Sequence, residues 1–570
     1  MNSAPSDPSP PRRLRLWPGV VMALLLALVR FGTPAVAPGF EGFGVAVLGG
    51  LLGTLIIVVW WAFFSRAPGV ERWGAPLLMV IAVAATWRLN HESMRLMWCV
   101  YYAVPILGLV LVAWAVAGRA LPTTPRRAAL VAALLASTAA WTLVRMEGLT
   151  GDHVFQFAWR WTETHEDQLL AEAGTRPPPP PSTPVESTVS ASWPGFRGPH
   201  RDGVVPGVRI ETDWSGSPPV ELWRKPVGPG WSSFAVGGDL LYTQEQRGDA
   251  EVVACHHSIT GETVWLHADP VRFFEAMGGA GPRATPALSE GRVYALGATG
   301  ILNVLSAPDG AVVWSRDVAA DTGTEVPIWG FASSPLVTGD LVMVAAGGRL
   351  VACDRATGDP RWTGDDGGPS YSSPHSVRLG GLEQILLLSG AGATSVALDG
   401  TPLWEYAWPG SPLIQPALIG DDDLLISAGE GKGLRRIAVE RGSDGWTATE
   451  RWESNRMKPN FNDLVVHRGH AYGFDGSILA CIDLEGGERR WKGGRYGHGQ
   501  LLLLPDQDLL LVVTERGELA LVTAASDRFT ELARFKAIEG KTWNHPVLVG
   551  DLVLVRNGEE MAAFRMPLHR

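Results

Sequence analysis

The sequence predicts an all-β propeller of eight four-stranded antiparallel blades, preceded by an α-helical transmembrane bundle. Three observations carry this expectation: a repeated strand unit, a glycine at a fixed offset from each unit's closing aromatic, and an apolar first quarter of the chain. The unit is plainest at 341–362, LVMVAAGGRLVACDRATGDPRW. Alternating apolar positions bounded by Gly-Gly and by a D-x-x-T-G turn describe half-buried strands joined tightly. One such unit cannot bury its own faces and needs copies beside it. Copies close on Trp223, Trp265, Trp314, Trp362, Trp404, Trp452, Trp491 and Phe535, at spacings of 42, 49, 48, 42, 48, 39 and 44 residues. Gly261, Gly310, Gly358, Gly400 and Gly487 stand four residues before their aromatic, as a turn needing positive φ requires. A period in the forties with several short strands is the mark of a propeller. The last copy, from Asn544, has no closing Trp, and an orphan strand at 220–223 opens the series. Sharing one blade between the two ends gives eight.

At 570 residues the chain exceeds one compact core. Residues 1–150 contain no Lys and read as a transmembrane helical domain; 151–192 read as a short helix and Pro-rich linker, and 193–570 as the propeller. Apolar runs at 43–64, 96–117 and 128–144 match the ~30 Å hydrocarbon layer. Shorter runs at 16–29 and 73–87 end at arginines that can snorkel, giving about five spans. Arg12, Arg13, Arg15, Arg66, Arg72, Arg119, Arg126 and Arg127 would then share one side, and Arg30, Arg88, Arg95 and Arg145 the other. That bias predicts a cytoplasmic N-terminus and a periplasmic propeller. Ala35-Val36-Ala37 mimics a signal cleavage site, but Pro38 and later spans argue against cleavage. Residues 16–144 therefore partner membrane lipid.

Thr164-His-Glu-Asp167 resembles a capping box, so a helix follows it. Trp159 and Trp161 suit either a membrane interface or packing beneath the propeller. The proline run at 177–181 is a semi-rigid spacer. Cys255, Cys353 and Cys481 occupy matching repeat positions in different blades, too far apart to bridge, and read as small core residues. No haem-attachment or zinc spacing occurs, so no metal site is expected. The formal charge of −10, with no basic stripe, excludes nonspecific nucleic-acid binding.

A second pattern precedes the innermost strands: an aromatic, then small or polar residues. It reads Trp231-Ser-Ser, Trp329-Gly-Phe-Ala-Ser-Ser, Tyr371-Ser-Ser-Pro-His375, Asn460-Phe-Asn462-Asp463, Tyr496-Gly-His498 and Trp543-Asn544-His545, with Arg283 and Gln415 at comparable places. Aimed at one mouth, Trp231, Arg283, Trp329, Tyr371, His375, Asn462, Asp463, His498, Trp543, Asn544 and His545 would form an aromatic-walled ligand site. Asp463 near His467 or His498 would supply an acid/base pair, Asp463 being the candidate base of an enzyme. The alternative is that Ser and Asn satisfy crowded backbone groups while the aromatics pack between blades. No nucleophile-elbow, zinc-protease, Walker or Rossmann pattern stands in a supporting context.

The signature Ala352-x-Asp354-x-x-x-Gly358-x-x-x-Trp362 resembles the tryptophan-docking motif of the pyrroloquinoline-quinone (PQQ) dehydrogenases and their propeller relatives. The opening Trp193-Pro-Gly-Phe-Arg-Gly-Pro-His-Arg-Asp-Gly203 is similar to the start of PQQ-like repeat proteins of the outer-membrane assembly (BamB) type. The resemblance spans roughly 193–570 and implies blade docking by Asp354, Gly358 and Trp362, with Trp265, Trp314, Trp404 and Trp491 at matching positions. It implies PQQ and Ca2+ if the chain is an enzyme. The adjacent Cys-Cys pair of many such dehydrogenases is missing, and His257, Ser306 and Val396 replace the Asp in other blades. With no Cys before Cys99 for a lipid anchor, the resemblance points to the bacterial cytoplasmic membrane. The favoured expectation is a non-enzymatic scaffold binding envelope proteins, peptides or a ligand. A quinoprotein alcohol or sugar dehydrogenase and a carbohydrate-binding propeller are the alternatives.

Overall fold

The fold is seen in a computed structural model that describes residues 14–36, 40–95, 99–175, 191–429, 431–443 and 445–569. The expected linker at 177–181, Arg12, Arg13, Ala37 and Pro38 lie outside the described residues, as does the side chain of Cys99. The chain divides into two units, Met1–Thr162 and Glu163–Arg570.

In the first unit four helices are long and apolar enough to cross a membrane: Trp17–Val36, Gly42–Phe63, Gly69–Leu89 and Tyr101–Ala120. The run expected to stop at Arg30 continues to Val36 through a π-helical turn, Leu28–Gly32. The Arg30 guanidinium is buried, 3.5 Å from the Tyr101 ring centroid, and donates to the Tyr101 carbonyl (3.1 Å). Cation–π attraction thus replaces the water that the sequence implied. The run at 128–144 is instead a 17-residue helix, Thr123–Ala139, followed by a 3-10 turn and a hairpin of Val144–Leu149 with Phe155–Trp159. Its Arg126 and Arg127 reach the buried Glu71, at 2.6 and 3.5 Å. Leu24, Leu28, Leu48 and Val80 are exposed on the first three of these helices, whereas Tyr101–Ala120 is the most buried of the four. Trp159 and Trp161 are exposed and stacked on one another.

The second unit opens with helix His165–Thr175, started by a reciprocal cap: the Thr164 amide donates to Asp167 Oδ2 and the Asp167 amide to Thr164 Oγ1, both at 2.9 Å. Eight antiparallel blades follow, and sequence neighbours pair in order within each. The eighth is completed by Val220–Pro226, which pairs with Glu560–Arg565 and closes the ring. Trp223 is thereby the closing aromatic that the last repeat lacks. The first blade gains a fifth strand, Ala191–Trp193, on the channel side of Ala235–Gly237.

The closing tryptophans join blade to blade. Trp265 donates its indole N–H to the Ala307 carbonyl (2.9 Å) in the next blade's outer turn, and Trp314 does likewise to Arg355 (3.2 Å). A methyl at Gly310 would lie 2.6 Å from Trp265, and one at Gly358 would lie 2.7 Å from Trp314. The motif glycine therefore serves twice, adopting positive φ and letting the neighbouring ring lie flat on its backbone. Gly261, Gly400 and Gly487 meet Trp223, Trp362 and Trp452 in the same way. Asp354 accepts from the Ala356 and Thr357 amides of its own turn, so it shapes the hairpin on which Trp314 rests. Trp404 differs, donating to Gln384 Oε1 (2.8 Å) in its own blade. The next hairpin, Leu434–Gly442 with Gly445–Ser454, lacks the D-x-x-x-G turn that would offer a carbonyl. Cys255, Cys353 and Cys481 are buried and unpaired.

Candidate functional site

The innermost strands begin at one face of the ring, here the upper face, and end at the lower. Just before they begin, side chains and amides of successive blades form a closed hydrogen-bonded belt. The Ser233 amide donates to Thr285 Oγ1 (3.0 Å), that of Thr285 to Ser334 Oγ (3.0 Å), and that of Ser334 to Ser373 Oγ (2.9 Å). The Ser373 amide donates to Gln415 Oε1 (3.0 Å) and the Gln415 amide to Asp463 Oδ1 (2.7 Å). Asn462 donates to the Gly499 carbonyl, Gln500 to that of Trp543 (3.2 Å), and Asn544 to that of Ser232 (2.6 Å), closing the circle. Eight inner strands leave their first amides without ladder partners, and buried amides must be paired. Much of the repeated Ser, Asn and Asp pattern serves this need.

The lower half of the channel is filled by residues 193–207. From Trp193, beside Val236, the chain climbs to Gly195, where a methyl would meet Pro286 and Ala287, and turns back through two left-handed residues, Arg197 (φ 59°) and Arg201 (φ 56°). It leaves alongside Leu503, whose carbonyl accepts from the Val205 amide (2.8 Å). Arg197 is 2% exposed; its guanidinium donates to the carbonyls of Arg201, Asp202 and Leu464 and stands 3.7 Å from Asp463 Oδ2. His545 Nε2 lies 3.3 Å from that same oxygen.

The expected mouth therefore divides in two. Asp463, His375, His545, Asn462 and Asn544 are buried at the belt and the inserted segment. Above the belt, half-buried rings gather: Trp231 to Trp543 (4.6 Å between centroids), Phe461 to Trp543 (4.8 Å), Phe461 to the buried His498 (5.6 Å), and separately Trp329 to Tyr371 (4.9 Å). Arg283 links blades here, donating to the Trp329 and Gly279 carbonyls (3.2 and 2.7 Å) and to Glu275 Oε1 (3.3 Å). Burial lowers its pKa to about 10. Lys541, absent from the sequence-based set, stands 4.6 Å from the Trp543 centroid and 5.3 Å from that of Trp231. Burial brings its ammonium down to about 8, opposed by Glu515 and Glu275. Glu515 accepts the Trp543 indole N–H (2.9 Å).

The acid/base partner expected for Asp463 is not His467, whose Nε2 instead meets Asp508 at 2.7 Å. His545 takes that place. Burial alone would raise the Asp463 pKa, but Arg197, His545 and the Gln415 amide outweigh it and hold the carboxyl below its ordinary value. Burial lowers His545 against the pull of Asp463, and burial with Arg201 and Arg197 takes His375 down to about 3, against Asp463. All three groups favour the deprotonated form when folded, so the unfolded chain binds more protons. Their stabilisation is complete above the unfolded histidine pKa of ~6.5 and is lost as pH falls through the lower folded values. The far-UV circular dichroism melting temperature of the β unit should fall from pH 7 to pH 4, and His375→Leu should flatten that dependence.

Residues 220–380 and 372–557 match the family described as outer membrane protein assembly factor BamB. The chain belongs to this family of PQQ-like repeat propellers. The BamB-type propeller is also similar to quinohemoprotein alcohol dehydrogenase ADH-IIG of Pseudomonas putida, 26% identical over 220 residues, 33% of this chain. The match covers 27% of that dehydrogenase, so the chain spans about a quarter of the curated relative's length. Among solved structures, BamB of Moraxella catarrhalis aligns with 62% of this chain and 99% of its own (14% identity, TM-score 0.46). The quinohemoprotein alcohol dehydrogenase of Comamonas testosteroni aligns with 66% and 82% (12% identity, TM-score 0.48).

In this BamB-type propeller the acids nearest the mouth and the belt already have partners. Among the described residues no three His, Cys, Asp or Glu side chains gather as a metal site would require. Glu275 is committed to Arg283 and to the Met277 and Gly278 amides, and Asp463 to Arg197, His545 and Gln415. Sequence reasoning missed Lys541 and Glu515 because neither follows the repeat. It missed the inserted Arg197 because the non-repeating segment before the first blade gives no sign of where it folds back.

Proposed function

We propose that this chain is a membrane-anchored binding propeller of the cell envelope, whose upper mouth receives a peptide or small ligand bearing an apolar face and an anionic group. The observation that carries the reading is Lys541 set over Trp231 and Trp543, with Phe461 beside them and Trp329–Tyr371 forming a second aromatic pair. Half-buried indoles offer apolar area at low conformational cost, and the ammonium supplies a counter-charge. The exposed apolar faces of Trp17–Val36, Gly42–Phe63 and Gly69–Leu89 suit lipid. With Thr123–Ala139 as a fifth crossing the propeller is periplasmic, and alkaline phosphatase fused after Arg570 should then be active.

Photocrosslinking in intact membranes, with benzoylphenylalanine at Trp329, should give discrete adducts with envelope proteins or peptides. Adducts at an outer-strand control position but none at the mouth would overturn the reading. Because Lys541 titrates near 8 among Glu515, Glu275, Glu559 and Arg283, capture of an anionic ligand should weaken as pH rises from 7 to 9. The match to a quinohemoprotein alcohol dehydrogenase makes an oxidoreductase the second reading. Adding PQQ and Ca2+ to the full chain with alcohols or sugars tests it: dye reduction would establish an enzyme, and an unchanged cofactor spectrum would remove that reading.

A further inference from the structure

A second cavity, of about 530 Å3, opens beside the inserted segment on the inner strands of the third to sixth blades. It lies on the opposite side of the belt from the aromatic mouth and is independent of it. Its charged lining is one-sided: Arg197, Arg201 and Arg378 against the single acid Asp202, with His200 and His375 beside them, in a chain whose formal net charge is −10. Arg197 has Asp463 as its counter-charge. Arg201 has none among the described residues: its guanidinium donates only to the Pro335 and Ser334 carbonyls (both 2.9 Å). It also lies close enough to Arg197 for the two cations to repel. His375 is 5% exposed, and its Nδ1 is buried with no hydrogen-bond partner.

A half-buried cation without a counter-ion leaves charge uncompensated, and a buried ring nitrogen without a partner is costly. Left-handed backbone at Arg197 and Arg201 holds both guanidinium groups at this site despite local strain. One missing component accounts for all of these features. We propose that the lower-face cavity binds a small oxyanion, a carboxylate or phosphate group carried on a metabolite-sized molecule. Arg201 supplies the charge, His375 a ring nitrogen, and Arg378, exposed on His375–Leu379, the outer cation. The volume falls within the range of small-molecule sites, ~300–1,000 Å3.

The test is isothermal titration of the full chain in detergent, in chloride buffer of matched ionic strength, with inorganic phosphate and citrate as separate probes. Saturable binding of either probe is expected, with a melting temperature that rises with its concentration. Preference for phosphate or for citrate identifies which oxyanion the site takes. Arg201→Gln should weaken binding at least ~10-fold, about the worth of one charge-assisted hydrogen bond. Arg378→Glu, at an exposed position that leaves the fold intact, should do the same. Absence of saturable heat with both probes, or unchanged affinity in Arg378→Glu, would overturn the proposal.

Discussion

Replacing Arg197 by leucine should destabilise the propeller by about 3–5 kcal/mol, the range for removing one partner of a buried ion pair. The carboxylate left behind is Asp463, 4% exposed, with the His545 ring as its remaining side-chain neighbour. Arg197 also donates to three backbone carbonyls, so its loss frees the inserted segment from the sixth blade. Adding Asp463→Asn should recover part of the loss, because it removes the stranded charge. Denaturant unfolding of the single and double variants measures the coupling. If Arg197→Leu alone costs under ~1 kcal/mol, residues 193–207 are not what closes the lower channel.

Trp265→Ala should cost a similar ~3–5 kcal/mol, as large-to-small changes of buried aromatics do. Trp265 is 5% exposed, packs among the strands of the first and second blades, and donates to Ala307 across their seam. The same change at Trp362 should cost less, since that ring is only half-buried. Gly310→Ala should mimic part of the Trp265 loss from the other side of the contact, because its methyl would drive into the ring at positive φ. Equal losses at Trp265 and Trp362 would show that burial does not set the effect.

The legible parts of the fold were those written by repetition. The closing tryptophans and their glycines recur because every seam needs the same flat contact, and the missing Trp of the last repeat pointed to Val220–Pro226. Repetition also misled. Asn462, Asn544 and Asp463 recur as a polar pattern because eight strand starts need partners, and the ring of bonds they form is structural whatever else they do. Trp404 fits the pattern in sequence but not in bonding, because the hairpin some forty residues later lacks the turn that would offer a carbonyl, and the indole donates to Gln384 instead. The apolar run at 128–144 does not stay helical throughout, because its helix ends at Ala139 and the chain turns into a hairpin, while Arg30 is sheltered by Tyr101, and Arg126 and Arg127 by Glu71.

By itself the sequence determined the propeller, its eight-fold count, the closure by its own first strand, and an apolar N-terminal region. All of these follow from local periodicity and from faces that must be buried against a like neighbour. Only the tertiary structure decided that the polar residues form a belt, that Arg197 crosses the channel to Asp463, and that Lys541 sits over two indoles. Each of those joins residues from different blades or from the inserted segment, and their distance is set by how the ring closes rather than by any spacing along the chain.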